Sequence, residues 1–195
     1  ASRGQRAGLV EAFAQFRPDL SQRTLLRLRV GLFFPQTSLE NVDRLWQSPY
    51  TVTLSAWNAW VGEEARVGGL ETAWIFQGAR DRVELAGAAR GANDSSGALL
   101  AWRGFAWGDR LTTVGESLPL PPLPSLRPGG VFAAQRDDGT RPVDELDGRV
   151  GWHALARYAR DGLLRVQAAY TDNRGDRALH RGQYAWRTRF VQAGL

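Results

Sequence analysis

Apolar and polar residues alternate with a period of two through one segment of this chain after another, while helical periodicity is poor, and this predicts β-strands throughout. From Thr24 to Phe34 the even positions Leu26, Leu28, Val30, Leu32 and Phe34 are apolar, and Arg27 and Arg29 take the opposite parity. Thr51 to Trp57 sets Val52, Leu54 and Ala56 against Thr51, Thr53 and Ser55. Arg149 to Tyr158 sets Val150, Trp152, Ala154, Ala156 and Tyr158 against Arg149, His153 and Arg157. Leu163 to Thr171 sets Leu164, Val166, Ala168 and Tyr170 against Arg165, Gln167 and Thr171. Gln183 to Phe190 sets Tyr184, Trp186 and Phe190 against Gln183, Arg187 and Arg189. Asp81 to Gly91 alternates Val83, Leu85 and Ala89 with Arg82, Glu84 and Arg90. Gly8 to Arg17 and Gly97 to Trp107 fit less cleanly but are also predicted as strands. In Glu63 to Phe76 the apolar parity changes across Gly68-Gly69, as a glycine bulge or a turn would cause. The chain thus predicts about nine strands, most near the 9–11 residues of a tilted membrane strand.

The connections alternate in length. Pro18 to Arg23, Asn58 to Gly62, Asn93 to Ser96 and Arg160 to Gly162 are short and polar. Between them lie the longer Pro35 to Tyr50, Gly108 to Asp147 and Asp172 to Gly182, with Gly78 to Arg80 the one short member of that set. Hairpins with short turns at one end and long loops at the other predict an all-β, antiparallel, up-and-down transmembrane barrel, here a partial one. The whole of 1–195 reads as one domain, with 108–147 a long external loop containing the Pro-rich Leu118 to Gly130.

At 43% hydrophobic residues the chain can bury a core. It has no Cys and two His, which removes disulfides, thiolate chemistry and cysteine zinc sites. No apolar run approaches the roughly 20 residues of a membrane-spanning helix. The net charge is +5, and all 25 basic residues are arginine. Two-faced strands suit either a soluble sandwich with a greasy core or a barrel with lipid outside and water inside. Two features favour the barrel. Trp57, Trp74, Trp102, Trp107, Trp152, Tyr158, Tyr170, Tyr184 and Trp186 lie near strand ends, mostly on the apolar parity, as an interfacial girdle requires. The opposite parity is rich in arginine, and Arg27, Arg29, Arg66, Arg82, Arg90, Arg103, Arg149, Arg157, Arg165, Arg187 and Arg189 are the expected pore lining. On a soluble sheet the same residues would be core aromatics and an ordinary solvated face.

Glu63, Glu64, Glu71 and Glu84 could supply a glycosidase carboxylate pair, but ion pairing with Arg66, Arg82 or Arg90 is the simpler expectation. His153 and His180 lack a metal or triad pattern, so no enzyme activity is expected. Acidic clusters at Asp137-Asp138, Asp144 with Asp147, and Asp172-Asn173 with Asp176 lack EF-hand spacing and read as turn chemistry. No nucleic-acid-binding module is recognisable.

Four stretches carry a family resemblance: WVGEEARVGGLE (Trp60 to Glu71), GALLAWRGFAWGDR (Gly97 to Arg110), ELDGRVGW (Glu145 to Trp152) and TDNRGDRALHRGQYAWRTRF (Thr171 to Phe190). Over Trp46 to Val191 the chain resembles a little-characterised family of porin-like outer-membrane β-barrel proteins of Gram-negative bacteria. The resemblance implies a closed antiparallel barrel, no cofactor and at most passive transport. It also implies a longer protein with a signal peptide and further strands; with no initiator Met and a Gln-Ala-Gly-Leu end, this chain is expected to be a fragment. The expectation is a bacterial outer-membrane porin giving passive diffusion to small hydrophilic solutes, anions above all. Its partners would be the lipid bilayer, lipopolysaccharide and further copies of itself. The alternative is a soluble sandwich or jelly-roll module that stacks sugars on exposed tryptophan.

Overall fold

The computed structural model describes residues 8–40, 66–103, 112–135 and 138–195. The predicted strand Thr51 to Trp57 and turn Asn58 to Gly62 lie outside these residues, as do Trp57, Glu63, Glu64 and Trp107. The long strands are β1 (Ala12–Phe16), β3 (Thr24–Phe33), β4 (Val67–Gln77), β5 (Asp81–Gly91), β8 (Gly151–Arg160), β9 (Leu164–Asp172) and β12 (Arg189–Gly194). Short pieces are β2 (Asp19–Ser21), β6 (Leu118–Pro119), β7 (Gly139–Thr140), β10 (Leu179–His180) and β11 (Gln183–Tyr184). Among the described residues one α-helix, α1 (Ser95–Arg103), follows β5.

An eight-stranded sheet runs in the order β1, β3, β4, β5, β8, β9, β12, with β2 added on β3, and every pairing is antiparallel. This is the up-and-down β arrangement that the alternation predicts. Among the described residues β1 and β12 pair with one neighbour each and not with each other. Gly31, inside β3, takes a φ of 132°, and a Cβ there would sit 2.4 Å from the Ala12 carbonyl oxygen, so the close approach of β1 requires glycine.

The tight turns gather at one end of the sheet. The Gln77 amide donates to the Arg23 carbonyl at 2.7 Å, and the Asp161 amide donates to the Arg80 carbonyl at 2.9 Å, lacing three hairpin ends together. Gly78 to Arg80 therefore belongs with the short turns, not with the long-loop set. That exception disappears because Gly97 to Trp107 does not supply a strand: Ser95–Arg103 is helical. A short apolar run does not tell strand from helix, and this one lacks any β-branched residue.

Two more expectations are corrected. No bulge interrupts Gly68-Gly69, since β4 keeps an unbroken register with both β3 and β5. The parity changes there because Val67 points inward against its register partner Phe33, both being buried. Gln183 to Phe190 is not one strand either. Asn173 clamps the backbone between β11 and β12, its Nδ2 donating to the Trp186 carbonyl at 2.7 Å and its Oδ1 accepting from the Thr188 amide at 2.8 Å. After that interruption Phe190 and Gln192 face inward while Val191 is 75% exposed.

Candidate functional site

The register assigns each residue of the sheet to one of two faces. The outer rows are apolar: Leu26, Trp74, Leu85, Ala156, Ala168 and Ala193 form one, and Thr24, Phe76, Val83, Tyr158 and Val166 another. Val30, Leu70, Trp74, Phe76, Leu85 and Trp152 on this face are all exposed. Charges with the outer parity in the long strands occur at strand ends. Asp81 and Arg160 lie 3.9 Å apart at the short-turn end, and Asp172 and Arg189 lie 2.8 Å apart at the other.

The inner face is largely buried and mixed, with apolar Phe33, Val67, Ile75 and Leu155 beside polar and charged residues. Arg27, Glu71, Glu84, Arg90, His153, Gln167 and Thr171 are all buried there. Arg27 Nη2 contacts Glu84 at 2.8 Å and Glu71 at 3.2 Å. Arg29 makes a two-pronged contact with Glu71, Nε to Oε1 at 3.0 Å and Nη2 to Oε2 at 2.8 Å, and its guanidinium carbon lies 4.5 Å from the Phe33 ring centre. Arg157 lies 3.7 Å from Glu84 and donates to Gln167 at 3.1 Å. Glu71 and Glu84 are thus acceptors in an arginine network, and Arg82 touches Glu84 at 3.7 Å from the short-turn end.

The chain after β3 turns over the inner face of the sheet. The Phe34 amide donates to Glu11 Oε1 at 2.9 Å, Gln36 Oε1 accepts from Arg157 at 3.3 Å, and the Leu39 side chain lies close to Gly194. Residues 34–40 therefore cross the interior from β3 towards β8 and β12.

Among the predicted lining residues, Arg27, Arg29, Arg82, Arg90, Arg157 and Arg165 have the inner parity of the described strands. Arg66, just before β4, is buried and donates to the Val10 carbonyl and to Thr112 Oγ1. Four others sit elsewhere. Arg103 ends α1, and Arg149 precedes β8 beside Asp147 and Asp176. Arg187 lies between β11 and β12, and Arg189 opens β12 with the outer parity, both of them against Asp172.

Of the predicted girdle, Trp74, Trp152, Tyr158 and Tyr170 have the outer parity. Trp152 and Tyr170 pack with ring centres 4.6 Å apart near the long-loop end, and Tyr158 donates to Asp81 Oδ1 at 2.7 Å at the other end. Trp102, Tyr184 and Trp186 do not join them. They pack with Phe132 and Leu120 in a second small core over the loop end, where Trp102 meets Phe132 at 5.1 Å and Trp186 at 5.4 Å.

Of the acidic clusters, Asp137 lies outside the described residues, and the two later ones serve turns. Asp144, Asp172 and Asp176 accept from the amides of Arg141, Arg174 and Ala178. The Ala178 amide, with His180 adding to it, holds the Asp176 carboxyl below its usual range. Asp94, not singled out by the sequence, meets Glu145 and Asp147 with one oxygen from each inside 4.8 Å. Asp94 accepts from the Leu146 amide, Asp147 from the Arg149 and Asp176 amides, and Glu145 from the Ala92 amide through Oε2, its Oε1 being buried without a partner. Burial, opposed by the Leu146 amide and helped by the Glu145 and Asp147 charges, pushes Asp94 up to about 6.

Comparison with known protein families, with curated proteins and with solved structures finds no match.

Proposed function

We propose that this chain forms part of the wall of an outer-membrane β-barrel whose arginine-rich interior gives small hydrophilic solutes, anions above all, a passive route across the membrane. The observation that supports this reading is the inversion of the sheet: leucine, valine and tryptophan lie exposed on one face, and Arg27, Arg90, Glu71 and Glu84 are buried on the other. In water such a sheet would forgo the burial of its apolar side chains, which contributes roughly 1.5–3 kcal/mol for each large one. It would also bury ion pairs whose desolvation cost exceeds or equals their attraction. In a bilayer the apolar face meets hydrocarbon, and the first of these costs falls away.

The dimensions agree. A ten-residue strand such as β3 rises about 3.3 Å per residue and, tilted about 45°, spans roughly 23 Å, near the ~25 Å apolar band of such barrels. The Asp81 with Arg160 and Asp172 with Arg189 pairs border that band, and Trp152, Tyr158 and Tyr170 lie near its edges. Six arginines against two glutamates on the inner parity support the preference for anions.

Single-channel recording of the intact protein in planar bilayers under a salt gradient tests the proposal. Anion-directed reversal potentials that shrink in Arg27→Gln and Arg157→Gln are expected. A silent bilayer, a cation preference, or a protein that fractionates without the outer membrane overturns it.

A further inference from the structure

The inner arginines differ in one respect that the barrel reading does not use. Arg27, Arg29 and Arg157 each face a glutamate. Arg90, at the long-loop end of β5, is 6% exposed, and among the described residues its buried Nε has no hydrogen-bond partner and no carboxylate lies within ion-pair distance. Asp172, whose field reaches it, is already committed. Its Oδ1 accepts from the Arg174 amide at 2.7 Å, and its Oδ2 accepts from Arg189 Nε at 2.8 Å with Arg187 at 3.5 Å. A guanidinium buried without a counter-charge is costly by several kcal/mol.

Arg90 also borders a cavity of about 30 Å³, together with Thr37, Asn93, Thr171, Thr188 and Gln192. Thr37 Oγ1, Asn93 Oδ1 and Gln192 Oε1, all buried atoms, have no partner either. In register, the inner-face neighbours of Arg90 are Gly69 on β4 and Gly151 on β8, so no side chain from either adjacent position covers the guanidinium. The walls are mixed, with Val67, Ala169 and Phe190 beside the polar groups; the Arg90 charge is the surplus there, and the Thr37 hydroxyl and Gln192 amide can turn donors towards an occupant.

The geometry points to a discrete binding site for one small monovalent anion, held by Arg90 and by the Thr37 hydroxyl and the Gln192 amide, between the inner wall of the sheet and residues 34–40. One guanidinium balances one negative charge, so the site suits a monovalent halide, and a divalent sulfate would leave a net negative charge buried there. The site gives the inner face a fixed counter-charge where the protein supplies none. It follows from the burial of Arg90 and stands whether or not the apolar face meets lipid.

The test uses the intact protein in detergent micelles, with thermal or urea unfolding followed in sodium bromide, sodium chloride and sodium sulfate at matched ionic strength. Bromide or chloride at about 100 times its dissociation constant raises the folded-to-unfolded ratio about a hundredfold over sulfate. Arg90→Gln removes that difference, and Thr37→Val reduces it. Equal stability in all three salts, or the same halide response in Arg90→Gln, overturns the site. If Arg90→Gln does not fold, wild-type crystals in bromide decide. An anomalous peak within hydrogen-bond distance of Arg90 supports the site, and an empty cavity at saturating bromide rejects it. Halide binding without conductance would reject the channel alone, and conductance without halide binding would reject this site alone.

Discussion

Arg27 and Glu84 meet at 2.8 Å although their strands are not neighbours: β4 lies between β3 and β5, and the guanidinium passes over it. Arg157 lies 3.7 Å from Glu84 on the other side, so one carboxylate joins three inner positions electrostatically. Glu84→Ala takes from Arg27 its shortest acceptor and from Arg157 its nearest counter-charge, and costs roughly 3–5 kcal/mol. Urea unfolding in micelles measures it, and a loss under about 1 kcal/mol would mean that water screens the pair.

The bridge depends on a small residue beneath it. Ala73 is the register partner of Arg27 on β4 and is fully buried. Ala73→Leu puts a branched side chain in the path of the guanidinium and costs about 1–3 kcal/mol by overpacking. Its effect and that of Glu84→Ala are less than additive, because both break the same contact. A double-mutant cycle with zero coupling would contradict the shared path.

Leu85 separates lipid from water as the surroundings of the outer face. It is 46% exposed in the middle of β5. Leu85→Arg costs about 2–4 kcal/mol if that face lies near a bilayer midplane. At an exposed site in water the same change stays within about 0.5 kcal/mol. Folding into liposomes, compared between the two proteins, reads the difference.

Asp94 gives a pH dependence of known sign. Its folded value is about 6, above its ordinary 3.8, so the folded state holds the proton more tightly than the unfolded chain. The resulting stabilisation is present in full below about pH 4 and is lost as pH rises through about 6. Asp94→Asn, neutral at every pH, removes this part of the slope. Urea midpoints of the two proteins should converge towards low pH and separate above pH 6, with the variant the more stable. A constant offset would assign the effect to another group.

The alternation in Thr24 to Phe34, Asp81 to Gly91 and Leu163 to Thr171 was enough to place β3, β5 and β9 and to say which face each side chain takes, because a period of two fixes face once a strand is granted. It could not tell which side of the sheet is buried, since the parity pattern is the same for a soluble sandwich turned the other way. It also missed α1, where Ala98-Leu99-Leu100-Ala101-Trp102 is short enough to fit either period. Trp102 and Trp186 look like girdle residues by type, and what moves them into the loop-end core is the Asn173 clamp and Phe132, a residue that no local pattern links to them. The Arg27 contact with Glu84 is a property of register across three strands, which spacing along the chain does not contain. Arg90 was legible as an inward arginine but not as an unpaired one, because its solitude depends on where Asp172 spends its two oxygens.

The second core over the loop end alters what an approaching molecule encounters. Leu120, Leu123 and Leu126 from the proline-rich connection pack on Ala98 and Trp102, and Phe132 stacks edge-on against Tyr184 and Trp186. Prolines stiffen the covering backbone, and its four anchors Leu120, Leu123, Leu126 and Phe132 hold it down. Under the outer-membrane reading, a phage fibre or an antibody would therefore find a rigid relief at this end of the barrel instead of a yielding brush, and would have to match its shape.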